Sequence, residues 1–133
     1  MFLNQLQEKN KGLFLELCIH VANADQRFIE SEKEMIYSYC REMNVIQKIP
    51  DTVRDVDQIL SELCSFSTEK EKRIIILEVM GIIYADNEFA KEEETLLSKI
   101  IEKLGVDKER IRHLLSLFEI YREVYKELLL AVG

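Results

Sequence analysis

Two copies of one pattern, A-D-x-x-F-x-x-x-E, constrain this chain more than any other feature of it. The first copy is Ala24-Asp25-Gln26-Arg27-Phe28-Ile29-Glu30-Ser31-Glu32. The second is Ala85-Asp86-Asn87-Glu88-Phe89-Ala90-Lys91-Glu92-Glu93. Each copy sits where an apolar segment of helical spacing ends and an amphipathic one begins. Residues 21–45 align with residues 82–106 without a gap, and five of the 25 positions are identical: Ala24/Ala85, Asp25/Asp86, Phe28/Phe89, Glu32/Glu93 and Val45/Val106. The identities fall at the same helix–turn–helix junction, which points to duplication. Two like halves, about residues 13–45 and 74–106, predict a pseudo-twofold helical bundle.

The flanking segments fit this reading. Leu13 to Ala22 and Ile74 to Ile83 are apolar nearly all round, as buried central helices are. Met35, Ile36, Tyr39, Cys40 and Met43 form one amphipathic stripe, and Leu96, Leu97, Ile100, Ile101 and Leu104 form its counterpart. Asn44 stands where a left-handed C-cap would fall, and Gly105 stops the later helix. Residues 2–9 read as a short helix halted by Asn10-Lys11-Gly12. After Pro50, Asp51 and Thr52 offer N-cap oxygens to a helix with Val53, Val56, Ile59, Leu60 and Leu63 on its core face. Thr68-Glu69-Lys70-Glu71 is a capping box, and Asp107 can cap a long last helix. That helix carries Ile111, Leu114, Leu115, Phe118, Tyr121, Val124, Tyr125 and Leu128, a stripe expected to pack mostly on the protein itself. Only four Gly and one Pro interrupt 133 residues. The expectation is an all-α, compact bundle of about seven helices with no sheet, forming a single domain over residues 1–133.

Charge narrows the partners. A net charge of −7, with eighteen Lys and Arg dispersed among twenty-five acids, supplies no basic surface for phosphates. Nucleic acid and anionic lipid are therefore not expected; cations, basic peptides and other proteins are. The longest apolar run is interrupted by Glu78 and too short to span a bilayer. Cys18, Cys40 and Cys64 form no C-x-x-C pair and read as packing thiols of a cytoplasmic protein. His20 and Gly81 occupy equivalent repeat positions. His20 reads as a hydrogen-bonded core residue and Gly81 as a site of close backbone approach. His113 belongs at the rim.

The junctions carry the candidate chemistry. Asp25 and Asp86 end apolar helices, where the helix dipole disfavours a carboxylate. A following helix N-terminus, a basic side chain or a bound cation would compensate. Glu32 and Glu93 fall in the first turn of the next helix, where a carboxylate is favoured. The blander reading makes all four turn and capping residues that hold two helices at an angle. The sharper one gathers Asp25, Glu32, Asp86 and Glu93 around a divalent cation (calcium, magnesium or manganese, given hard oxygen ligands) or a basic partner. An EF-hand is excluded: Val21 and Ile82 stand at the first ligand position, and Gln26 and Asn87 replace the obligatory glycine.

These residues resemble the TerB-like family, named for the tellurite-resistance protein TerB. Its repeated signature is an apolar helix ending in A-D-G-x-I-x-x-x-E, then an amphipathic helix and an L-G-L-type ending. Ala24, Asp25, Phe28 and Glu32 match it, as do Ala85, Asp86, Phe89 and Glu93, and Leu104-Gly105-Val106 resembles the ending. The chain departs from the signature at Gln26 and Asn87, where the family has glycine, and at the two Phe, where it has Ile. The resemblance implies a duplicated all-helical domain, links to stress response and tellurite resistance, and acidic motif residues as metal-linked positions. Three functions follow: a non-enzymatic module binding a protein partner, with or without a cation; a homo-oligomeric scaffold, such as a homodimer, using the last helix; and a carboxylate metal-dependent hydrolase. The last lacks H-E-x-x-H, a phosphate loop and a recognisable nucleophile, so no catalytic residue is assigned.

Overall fold

A computed structural model describes residues 1–24, 30–50, 53–84 and 91–133. A 3-10 turn, Leu3–Gln5, precedes six α-helices: α1 (Glu8–Ala22), α2 (Glu30–Met43), α3 (Val56–Phe66), α4 (Glu69–Ile83), α5 (Lys91–Leu104) and α6 (Lys108–Val132). No strand occurs among the described residues. The all-α expectation holds, and the repeat extends to the element boundaries. Displacing α1 by 61 residues gives α4, end for end, and displacing α2 gives α5. The helix stops match too. Asn44 (φ 57°) follows α2 and Gly105 (φ 69°) follows α5, both left-handed. The Val45 amide then reaches back to the Cys40 carbonyl at 3.0 Å, closing the turn.

α1 and α4 form the centre. Phe14, Leu17, Cys18 and Val21 of α1 and Ile75, Ile76, Val79 and Ile83 of α4 are buried. α1 packs on α2, α3, α4 and α5; α4 packs on α1, α2, α5 and α6. α3 presents Ile59, Leu60 and Leu63 to this core, against α1 and α5. The thiols behave as packing groups: Cys18 and Cys40 are buried, Cys64 is half-buried, and all three are free.

Two boundaries and one packing expectation differ from the sequence reading. α1 starts at Glu8 and runs through Asn10-Lys11-Gly12, with no stop there. Its first turn is held from outside: the Glu71 carboxylate of α4 accepts the Gln7 amide at 2.9 Å and the Asn10 side-chain amide at 2.9 Å. α3 starts at Val56, capped by Asp55, whose carboxylate accepts the Asp57 amide at 3.1 Å. Val53 thus precedes the helix, and Asp51 and Thr52 lie outside the described residues. Third, α6 packs only the first part of its stripe on the protein: Ile111, Leu115 and Phe118 are half-buried against the core, the residues beyond them are largely exposed, and none is fully buried.

The capping box at α4 is formed as expected, with the Glu71 amide donating to Thr68 Oγ1 and the Thr68 amide to Glu71 Oε1. Asp107 caps α6 by accepting the Arg110 amide. No helix among the described residues is long and apolar enough to cross a membrane.

Candidate functional site

Two regions carry candidate chemistry, the repeated acidic junctions and the face between α6 and the bundle. At the junctions, Glu32 and Glu93 lie at the same depth of their helices, and each is 5% exposed. Burying a carboxylate at one place in both halves costs free energy unless it is compensated locally, and the first-turn amides and dipole of α2 and α5 favour it there. Asp25, Asp86, Phe28 and Phe89 lie outside the described residues. Among the described residues, no group of three or more His, Cys, Asp or Glu is arranged to hold a metal ion.

A different carboxylate dominates the interior. Glu71 gathers the amides of Gln7 and Thr68 and the side-chain amides of Asn10 and Gln7, at 2.6 to 3.1 Å. Burial opposes its charge, but these donors outweigh burial and hold its pKa at about 2. Asn10 and Glu71 are repeat counterparts, so this bond joins the same position of the two halves. The capping box was legible in the sequence; the reach to α1 was not, because its partners lie more than sixty residues away.

α2 and α4 also hold the chain's start. Glu78 accepts the Phe2 amide at 3.0 Å and contacts the Met1 ammonium at 2.9 Å; Glu42 pairs with that ammonium and accepts the Leu3 amide. Beside them the Tyr39 hydroxyl donates to the Glu78 backbone carbonyl at 2.7 Å. Burial raises the pKa of that phenol well above its ordinary value. A Cβ on Gly81 would stand 2.8 Å from the same hydroxyl. The close approach at Gly81 is of a tyrosine hydroxyl from α2, not of helix backbone as expected.

His20 is half-buried, with Nε2 2.6 Å from the Arg54 carbonyl. A carbonyl only accepts, so Nε2 carries the proton. The Arg54 guanidinium in turn binds Glu16 at 2.5 Å and Glu62 at 2.9 Å, and this pairing lowers the Glu16 pKa. This cluster fastens the segment before α3 onto α1. His20 is therefore a docking residue of the fold. His113 is exposed, as expected.

α6 meets the bundle at α4. Phe118 packs on Tyr84 with ring centroids 5.7 Å apart, and the Arg122 guanidinium lies 4.9 Å from the Tyr84 ring. Beyond this contact a cleft of about 650 Å³ opens between α6 and the α2/α4 face. Its α6 wall is Phe118, Tyr121, Arg122, Tyr125, Lys126 and Leu129, one helix face by spacing. Met35 and Tyr39 of α2, with Gly81 and Tyr84, stand opposite. The sequence signal for this cleft was the surplus of apolar residues on α6, which a small core had no room to absorb.

In comparison with known proteins, no family profile matches the chain, and no curated protein matches it. Among solved structures, it superposes on a tellurite resistance protein from Nostoc punctiforme with a TM-score of 0.70 at 17% identity, covering 96% of this chain and 82% of the other. The likeness shows a shared fold.

Proposed function

We propose that this chain is a non-enzymatic helical module of the TerB-like kind, linked to stress response, that binds a protein partner. The partner presents an amphipathic helix to the cleft between α6 and the α2/α4 face. The observation that carries this reading is the cleft itself. Tyr121, Tyr125 and Leu129 face Met35 and Tyr39 across a gap that the described residues do not fill. A groove between two helices accepts a third through anchors at i, i+3, i+4 and i+7. Arg122 and Lys126 on the α6 rim and Glu42 on the α2 rim would orient it, acidic flank toward α6. The fold shared with a tellurite resistance protein supports the family and stress-response part of the reading.

The test uses Met35→Glu, which puts a charge on the α2 wall and leaves α6 unchanged. Wild type and variant are immobilised side by side, retained proteins are quantified, and the leading one is reconstituted with purified components by calorimetry. A complex with wild type that the variant loses is expected. Equal binding by both would sink the reading.

A second reading places a divalent cation at Asp25, Glu32, Asp86 and Glu93. It is favoured by the matched burial of Glu32 and Glu93 in the two halves. Titrating calcium, magnesium and manganese while following Tm tests it. A rise with one ion, absent in Asp25→Asn/Asp86→Asn, is expected. No rise with any of the three ends it.

A further inference from the structure

α6 has a second apolar face, turned about a quarter of the helix away from the cleft. Leu114, Leu117, Tyr121, Val124, Leu128 and Ala131 follow one another at spacings of 3, 4, 3, 4 and 3 residues. That alternation is the seam of a left-handed two-helix pair. Glu119, Arg122, Glu123 and Lys126 lie on the opposite side of the helix. Leu114 is half-buried; Leu117, Tyr121, Val124 and Leu128 are between 48% and 57% exposed.

Reversal maps this seam onto itself. About the midpoint between Arg122 and Glu123, Leu114 falls opposite Ala131, Leu117 opposite Leu128, and Tyr121 opposite Val124. A surface that is its own complement under a twofold rotation is what an isologous dimer requires. From this the geometry points to a second copy of the same chain as the occupant: two α6 helices pack antiparallel along this seam. Antiparallel pairing sets the large Tyr121 against the smaller Val124, where parallel pairing would stack like on like. It also opposes the two helix dipoles.

The area suffices. Leu117, Tyr121, Val124 and Leu128, with Ile120 and Tyr125 on the flanks, are all about half exposed. At roughly 200 Å² for a fully exposed large side chain, six per copy remove on the order of 1,200 Å² over the pair, where stable interfaces begin. The bundles then sit at opposite ends of the pair. The seam is centred about a quarter turn from the cleft and shares Tyr121 with its α6 wall, but the inference does not depend on the cleft's having a partner.

Three measurements on the full chain test it. Light scattering at micromolar concentration should give a dimer for wild type and Met35→Glu alike. Val124→Asp should be monomeric, with dimerisation weakened at least a hundredfold and unchanged far-ultraviolet dichroism, since Val124 is not part of the core. Leu117→Cys mixed with Leu128→Cys should yield the mixed disulfide in preference to either like pair. A wild type that stays monomeric at hundreds of micromolar, or a Val124→Asp chain that still dimerises, overturns the proposal. Like-position disulfides in preference to mixed ones overturn the antiparallel arrangement. Loss of cleft binding in Met35→Glu with the dimer intact leaves the two faces separately decided.

Discussion

α3 and α6 each follow one copy of the repeat, yet they end in opposite environments. α3, Val56–Phe66, buries Ile59, Leu60 and Leu63 against α1 and α5. α6, Lys108–Val132, buries none of its residues. Part of the difference is composition, since α3 is the more apolar helix per residue although α6 carries the longer apolar run. The rest is available surface. α3 fills the space beside α1 and α5, and after it α4 and α5 complete the core. The last helix meets a core already closed and attaches at its rim, through Ile111, Leu115 and Phe118. An apolar stripe on each helix therefore yields core in one place and a largely exposed surface in the other.

The largest expected effect that could break this comparison is at Leu60. Leu60→Ala empties a fully buried site of α3 and should cost about 2–5 kcal/mol in urea denaturation. A loss below 1 kcal/mol would mean that α3 is not core.

Glu71→Gln comes next, because it weakens the bond between the halves. With an oxygen replaced by a donor among four donors, a loss of about 2 kcal/mol at neutral pH is expected. The variant should also lose pH dependence. The folded pKa of about 2 lies below the ordinary 4.5, so the charge of Glu71 stabilises fully above about pH 5. That contribution disappears as pH falls toward 2. A wild-type acid limb that the variant reproduces unchanged would remove Glu71 from its cause.

At Gly81 the halves differ in kind, since its counterpart is His20. Gly81→Ala gains about 1 kcal/mol of helix propensity, but its Cβ displaces the Tyr39 hydroxyl from the Glu78 carbonyl. A net loss of about 1 kcal/mol is expected from overpacking. In a Tyr39→Phe background the same change should become neutral or stabilising. Equal losses in both backgrounds would show that the hydroxyl contact does not set the cost.

The smallest effect belongs to α6. Leu128→Ala, at 57% exposure, should change the stability of the monomeric chain by no more than about 0.5 kcal/mol. A loss approaching that of Leu60→Ala would mean that α6 folds back onto the bundle in solution, erasing the contrast with α3.

Much of this architecture could be read from residues alone. The repeat located α1 with α4 and α2 with α5. The Thr68 box and Asp107 marked two helix starts, and Asn44 and Gly105 two stops. The expected stop at Asn10-Lys11-Gly12 failed because Asn10 is buried against Glu71, a partner in the other half. The α3 start slipped from Asp51 or Thr52 to Asp55, since several acceptors in a row can serve as a cap and the sequence does not choose among them. Of the four candidate acids, Glu32 and Glu93 are described, and their burial sharpens the question at the junctions. Asp25 and Asp86 lie outside the described residues.

The sequence by itself determined where α4 and α6 begin and where α2 and α5 stop, which faces are apolar, and that one unit occurs twice. Those properties arise from interactions spanning a few residues, and so they leave a periodic trace. Only the tertiary structure decided that Glu71 joins the two halves, that Arg54 fastens the approach to α3, and that α6 stands beside a cleft with most of its apolar residues beyond Phe118 uncovered. Each of these depends on which surfaces remain when the core is full, a matter of packing volume that no local pattern encodes.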